Sequence, residues 1–119
     1  MNHSEILGFS KELAKGASNI LMEHFGRISS IKHKSTDIDL ITIADTESEA
    51  YILEKINLEY PGHHIIAEES AITRGDSDYR WVIDPLDGTT NFVHNIPIFA
   101  VSIGIQYKDE TIAAVVHNP

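Results

Sequence analysis

The chain has no cysteine. Disulfides, thiolate metal centres and cysteine nucleophiles are therefore excluded. Basic residues are scarce: nine Lys and Arg stand against eighteen Asp and Glu, a formal net charge of −9. Such a chain lacks the basic footprint of a nucleic-acid binder. No apolar run approaches the roughly 20 residues of a membrane span. The amino-terminal Met-Asn-His-Ser-Glu-Ile-Leu lacks the basic start and apolar core of a secretory signal. Low-complexity stretches and internal repeats are also missing. The expectation is a soluble, cytoplasmic protein. At 119 residues and 42% hydrophobic, it is long enough for one domain with a real core. The acidity favours solubility, and it leaves carboxylates able to converge on a cation.

Residues 4–25 read as an amphipathic helix. Ser4 is the expected cap, and Ile6, Phe9, Leu13, Ile20 and Leu21 recur near helical spacing up to Gly26. Residues 27–42 read as irregular, with a basic cluster at Lys32, His33 and Lys34. Thr42 or Asp45 is expected to open a second helix with a stripe of Ala50, Leu53 and Ile56, broken by Pro61-Gly62. His63 to Ala67 reads as a short strand leading to Glu68 and Glu69, and residues 71–79 as a polar loop. The two histidines lack the spacing of a helical metal pair and are read as structural or surface residues. A strand is expected over Arg80 to Ile83. Phe99–Tyr107 and Thr111–His117 follow as an antiparallel hairpin. Two helices and then mostly strands favour an α+β class over regular alternation.

The chemistry concentrates in Trp81-Val-Ile-Asp-Pro-Leu-Asp-Gly-Thr-Thr-Asn-Phe92. Asp84 and Asp87 flank a Pro-Leu pair, read here as a tight turn that aims both carboxylates into one volume. The Leu86 carbonyl lies between them, and Glu68 ends another strand. Oxygen donors of this kind suit a hard cation such as Mg²⁺. Gly88 permits close backbone approach, and a helix starting near Thr89 or Thr90 would offer N–H groups to phosphate oxygens. Taken alone, Asp-Pro-x-Asp-Gly is also an ordinary surface turn. An EF-hand, a P-loop and a serine-nucleophile elbow are excluded, because their ligand and glycine spacings are absent.

The motif extends beyond a turn. With Pro97 and Ala100-Val-Ser-Ile-Gly104 after it, it closely resembles the signature of the inositol monophosphatase family. Ile66-Ala-Glu-Glu-Ser70 is similar to that family's Glu-Glu-Ser segment, and Asp39-Leu-Ile-Thr-Ile-Ala-Asp45 to an earlier one. The resemblance runs in register from about residue 5 to the last residue. It implies a layered α/β sandwich of the sugar-phosphatase type, with a mostly antiparallel sheet packed on two N-terminal helices.

The resemblance also implies roles for particular residues. Glu68, Asp84 and Asp87, with the Leu86 carbonyl, match the ligands of two Mg²⁺ ions. Asp45 and Thr89 match the pair that activates the attacking water, with Asp45 near a third, weaker Mg²⁺. Asp87, Gly88, Thr89 and Thr90 match the substrate-binding turn. Lys34 matches a basic flap residue, and Glu69 a supporting one. The implied reaction is Mg²⁺-dependent hydrolysis of a small phosphorylated polyol, sensitive to lithium, with no phosphoenzyme. The family is usually homodimeric. Its members are about twice this length, and a further Trp-Asp motif in their second half supplies another metal ligand. Residues 1–119 thus correspond to the N-terminal half of such a domain, and the expectation is a truncated fold with weak or no turnover alone. Fructose bisphosphate and nucleotide 3′-phosphates are the alternative substrates within this chemistry. A non-catalytic binding or regulatory module is the alternative outside it.

Overall fold

A computed structural model describes residues 3–25, 34–67, 77–94 and 96–119, with only the main chain described for 34–42 and for Val93. Helix α1 spans His3–His24. Its Ile6, Leu13, Ala14, Ala17 and Leu21 are fully or nearly fully buried. Ser10 is buried among them, its hydroxyl donating to the Ile6 carbonyl at 2.7 Å. Helix α2 spans Lys34–Glu59 and packs against α1. Gly16 leaves room for the Tyr51 ring: a Cβ there would lie 2.0 Å from the Tyr51 hydroxyl.

Helix α2 corrects two expectations. It begins at Lys34, so residues 34–42 are helical and Asp45 lies in the helix interior. Ser35, Thr36 and Asp37 carry the same capping chemistry as Thr42 and Asp45. The β-branched Ile38, Ile41, Thr42 and Ile43 lower local helix propensity, so the sequence signal for a helix is weak here. The buried row is Ala44, Ser48, Ile52 and Ile56, while Ala50 is exposed and Leu53 only half-buried.

Four strands follow among the described residues: β1 His64–Ala67, β2 Tyr79–Asp87, β3 Ala100–Tyr107 and β4 Glu110–His117. They order as β1-β2-β3-β4, with β1–β2 parallel and the other pairs antiparallel. The class is α+β, with a mostly antiparallel sheet on two N-terminal helices. One sheet face carries Ile65, Ala67, Trp81, Ile83, Val101, Ile103 and Ile105, all buried. Helix α1 lies over β3 and β4, and α2 over β2. The opposite face presents Val82, Asp84, Ser102, Gly104 and Val116, none of them buried. Val82 pairs with Gly104 and Ser102 with Val116. A two-residue turn, Lys108-Asp109, joins β3 to β4 with φ of 50° and 68°.

Candidate functional site

The tight turn expected at Pro85-Leu86 is a strand instead. β2 runs through both residues to Asp87, and its register with β3 shifts between Asp84 and Asp87. Asp84 pairs with Ser102 and Asp87 with Ala100. Three steps on β2 thus oppose two on β3, which is a bulge of one extra residue. The bulge has a chemical consequence. In a regular strand, residues three apart point to opposite faces. Ser102 and Ala100, two apart, share a face, so their partners Asp84 and Asp87 share it too. Pro85 and Leu86 are both buried. A bulge is also where a strand tolerates a residue with no N–H.

Asp84 is half-buried, and one carboxylate oxygen accepts the Leu86 N–H at 3.3 Å. Its side borders a depression of 280 Å³ with Ile66, Val82, Ile83 and Ser102. Asp87 is exposed and borders a second, with Gly88, Asn91, Ile98 and Val116 among its lining. Asp84, the Leu86 carbonyl and Asp87 therefore form a short run of oxygen donors suited to a hard cation.

Gly88 follows immediately, with φ 95° and ψ 40°, a left-handed conformation that L-residues rarely adopt. A Cβ there would also come within 3.1 Å of the Ile98 carbonyl and 3.3 Å of Phe99 Cα. The short helix α3, Thr89–Val93, begins directly after it, where the sequence placed a helix start. Thr89 and Thr90 have exposed side chains. Phe92 is fully buried and packs with Phe99 and Phe25 at ring centroid distances of 5.0 and 5.7 Å.

Asp45 is half-buried on α2, and α2 touches both β2 and α3. The helix that carries Asp45 thus adjoins the element opened by Thr89. Glu68 and Glu69 lie outside the described residues, as do Lys32 and His33. Lys34 is placed only by its main chain, as the first residue of α2. The described part of β1 ends at Ala67, paired with Ile83, the residue before Asp84.

The other end of β2 is held by an aromatic cluster. His63 is 5% exposed and stacks between Tyr60 and Tyr79, with centroids at 5.1 and 4.8 Å. The Trp81 indole N–H donates to His63 Nδ1 at 3.0 Å. Burial lowers the imidazole pKa below its usual 6.5. Burial, then Glu59 and Glu5, raise the Tyr60 phenol above its ordinary value. The structural reading of His63 holds. One arrangement was missed at the sequence level. Glu23, His24 and Glu47 offer ligand atoms all within 4.8 Å of one another, the one such trio among the described residues. His24 Nε2 and Glu47 already pair at 2.9 Å, clasping α1 to α2. Glu47 lies on a different helix from Glu23 and His24, so the trio leaves no local signal in the sequence.

The sequence model of the Inositol monophosphatase family matches residues 2–119. The chain is 44% identical over 117 residues to the Nus factor SuhB of Pasteurella multocida, covering 96% of this chain and 43% of that protein. It is 37% identical over 113 residues to the fructose-1,6-bisphosphatase/inositol-1-monophosphatase of Thermotoga maritima, covering 95% and 43%. The crystal structure of extragenic suppressor protein suhB from Bartonella henselae superposes with a TM-score of 0.84 at 33% identity, covering 97% of this chain and 44% of that one. The chain thus spans less than half the length of each.

Proposed function

The chain belongs to the inositol monophosphatase family, and from that premise we propose that it serves Mg²⁺-dependent hydrolysis of a small phosphorylated polyol. In this reading residues 1–119 form the N-terminal half of the catalytic domain, of the inositol-1-monophosphatase type, in a cytoplasmic and homodimeric protein. The observation that carries the reading is the β2 bulge, which sets Asp84 and Asp87 on one sheet face immediately before the left-handed Gly88.

Asp84, Asp87, the Leu86 carbonyl and Glu68 hold the cation. All are oxygen donors, the set that Mg²⁺ prefers. Glu68 is next in sequence after Ala67, the described end of β1. When bound, Mg²⁺ supplies Lewis acidity toward phosphoryl oxygens. Gly88, Thr89 and Thr90 give the phosphate N–H and hydroxyl donors. The Thr89 hydroxyl orients the attacking water, and the Asp45 carboxylate takes up its proton. Lys34 adds positive charge toward the substrate.

Phosphate release is the test, from inositol 1-phosphate, fructose 1,6-bisphosphate and a nucleotide 3′-phosphate, by the 119-residue chain alone and with the second half of a relative supplied in trans. The expected result is Mg²⁺-dependent release, strongest on the inositol ester in the complemented sample, and lost in Asp84→Asn and Asp87→Asn. Release indifferent to chelation and to both substitutions overturns the reading. Similarity to a protein named a Nus factor favours a second reading, a regulatory binding module. A complemented sample that folds and is silent on all three esters would favour that second reading.

A further inference from the structure

The 88–99 segment links Asp87 to Ala100, which pair across β2 and β3 and close its base. Two of its hydrogen bonds involve Asn91. The Asn91 carbonyl accepts the Ile96 N–H at 2.8 Å. The Asn91 side-chain amide donates to the Ile98 carbonyl at 2.8 Å. A carbonyl only accepts, so the amide nitrogen must face it. The Ile98 carbonyl is in turn the atom nearest to where a Gly88 Cβ would lie. The Ile98 side chain is 63% exposed, so burial of that side chain does little to anchor the main chain here.

We propose that Asn91 is a positioning residue for the metal-binding turn: its amide holds the Ile98 carbonyl against Gly88 and thereby sets the backbone that presents Asp87, Thr89 and Thr90. The inference rests on the functional reading above and adds to it a residue that touches neither phosphate nor cation. The physical need is specific. Gly88 has no side chain to restrict its backbone, and it connects Asp87 to the two threonines. Phe92 anchors the far end of the turn through Phe99 and Phe25. Asn91 locks the near end. Ala in place of Asn leaves the Ile98 carbonyl without this donor, and Asp sets a carboxylate against it.

The test is Asn91→Asp in the full 119-residue chain, read by Mg²⁺ titration calorimetry and by amide hydrogen exchange. The substitution adds negative charge near Asp87, which by itself strengthens cation binding. Weaker binding therefore reports lost geometry. The expected result is a fall in Mg²⁺ affinity of about 10–100-fold, as for residues that orient ligands from behind. With it, exchange of the hydrogen-bonded amides of Phe92, Ile96 and Ile98 rises about tenfold, the value of one hydrogen bond. The β2–β3 ladder amides of residues 101–105 stay protected. Unchanged exchange in 88–98 overturns the proposal, as does faster exchange with unchanged Mg²⁺ affinity. Should the ladder lose protection, Asn91→Ala decides by the same two measurements, since it removes the donor without adding charge. A wild-type chain that takes up no Mg²⁺ sinks the functional reading first, visibly before any variant is compared, and this proposal falls with it.

Discussion

His63 illustrates how one residue is determined by its neighbours. Two tyrosine rings cover its faces and Trp81 donates to Nδ1. The ring is therefore neutral, with its proton on Nε2. Acid must place a proton on the nitrogen that already accepts the indole. Because burial lowers the folded pKa, the unfolded chain protonates first as pH falls. The stability from neutral His63 is whole above about pH 6.5. It declines as pH drops from there through the lower folded value. Trp81 is the chain's one tryptophan, so its emission reports on the contact. We expect an emission change with a midpoint below about pH 6.5, absent in His63→Phe. A midpoint at or above that value, or one that survives the substitution, contradicts the assignment. A histidine outside helical metal spacing reads from sequence as structural, and it is. Its partners do not read, because Tyr79 and Trp81 reach it only through the parallel pairing of β1 and β2.

At the scale of elements, legibility follows the locality of the signal. Helix α1 and the β3–β4 hairpin carry their signals within themselves, as spacing and as a short polar turn, and both form where expected. Helix α2 does not: its first turns are rich in β-branched residues, and its start at Lys34 precedes the strongest capping signals. Strand β2 misleads differently. Asp, Pro and Gly are turn residues, yet here a bulge absorbs Pro85 within a strand. The motif marked Asp84 and Asp87 as a pair; that they share a sheet face follows only from the register with β3. The hairpin also allows a prediction. Lys108 and Asp109 both adopt positive φ, the backbone of a type I′ turn that favours Asn then Gly. A lysine there pays part of the left-handed penalty, which is roughly 1–2 kcal/mol per residue. Lys108→Asn keeps the main-chain bond from residue 108 to the Asp78 carbonyl. It should stabilise the fold by about 0.5–1 kcal/mol, visible as a higher urea midpoint with an unchanged slope. A lower midpoint would mean that the lysine contributes more than its backbone strain costs.

Across the whole molecule, the two sheet faces are unequal. Helices cover one face with a dense core, while the other bears the carboxylates and a scatter of exposed apolar groups. Val116 is 71% exposed, Ile98 63% and Val82 42%. Val116 and Ile98 border the same depression as Asp87. Val116 also lies on β4, which ends the sheet order among the described residues. An edge strand with apolar side chains invites association with another chain, and lysine on such an edge is the usual deterrent. Sedimentation velocity should therefore show the 119-residue chain associating as concentration rises. Val116→Lys should reduce that association without altering thermal stability, because the side chain faces solvent and adds little to the core. Equal association in both proteins would place the contact elsewhere. A large loss of stability in the variant would mean instead that Val116 is already covered within the folded chain.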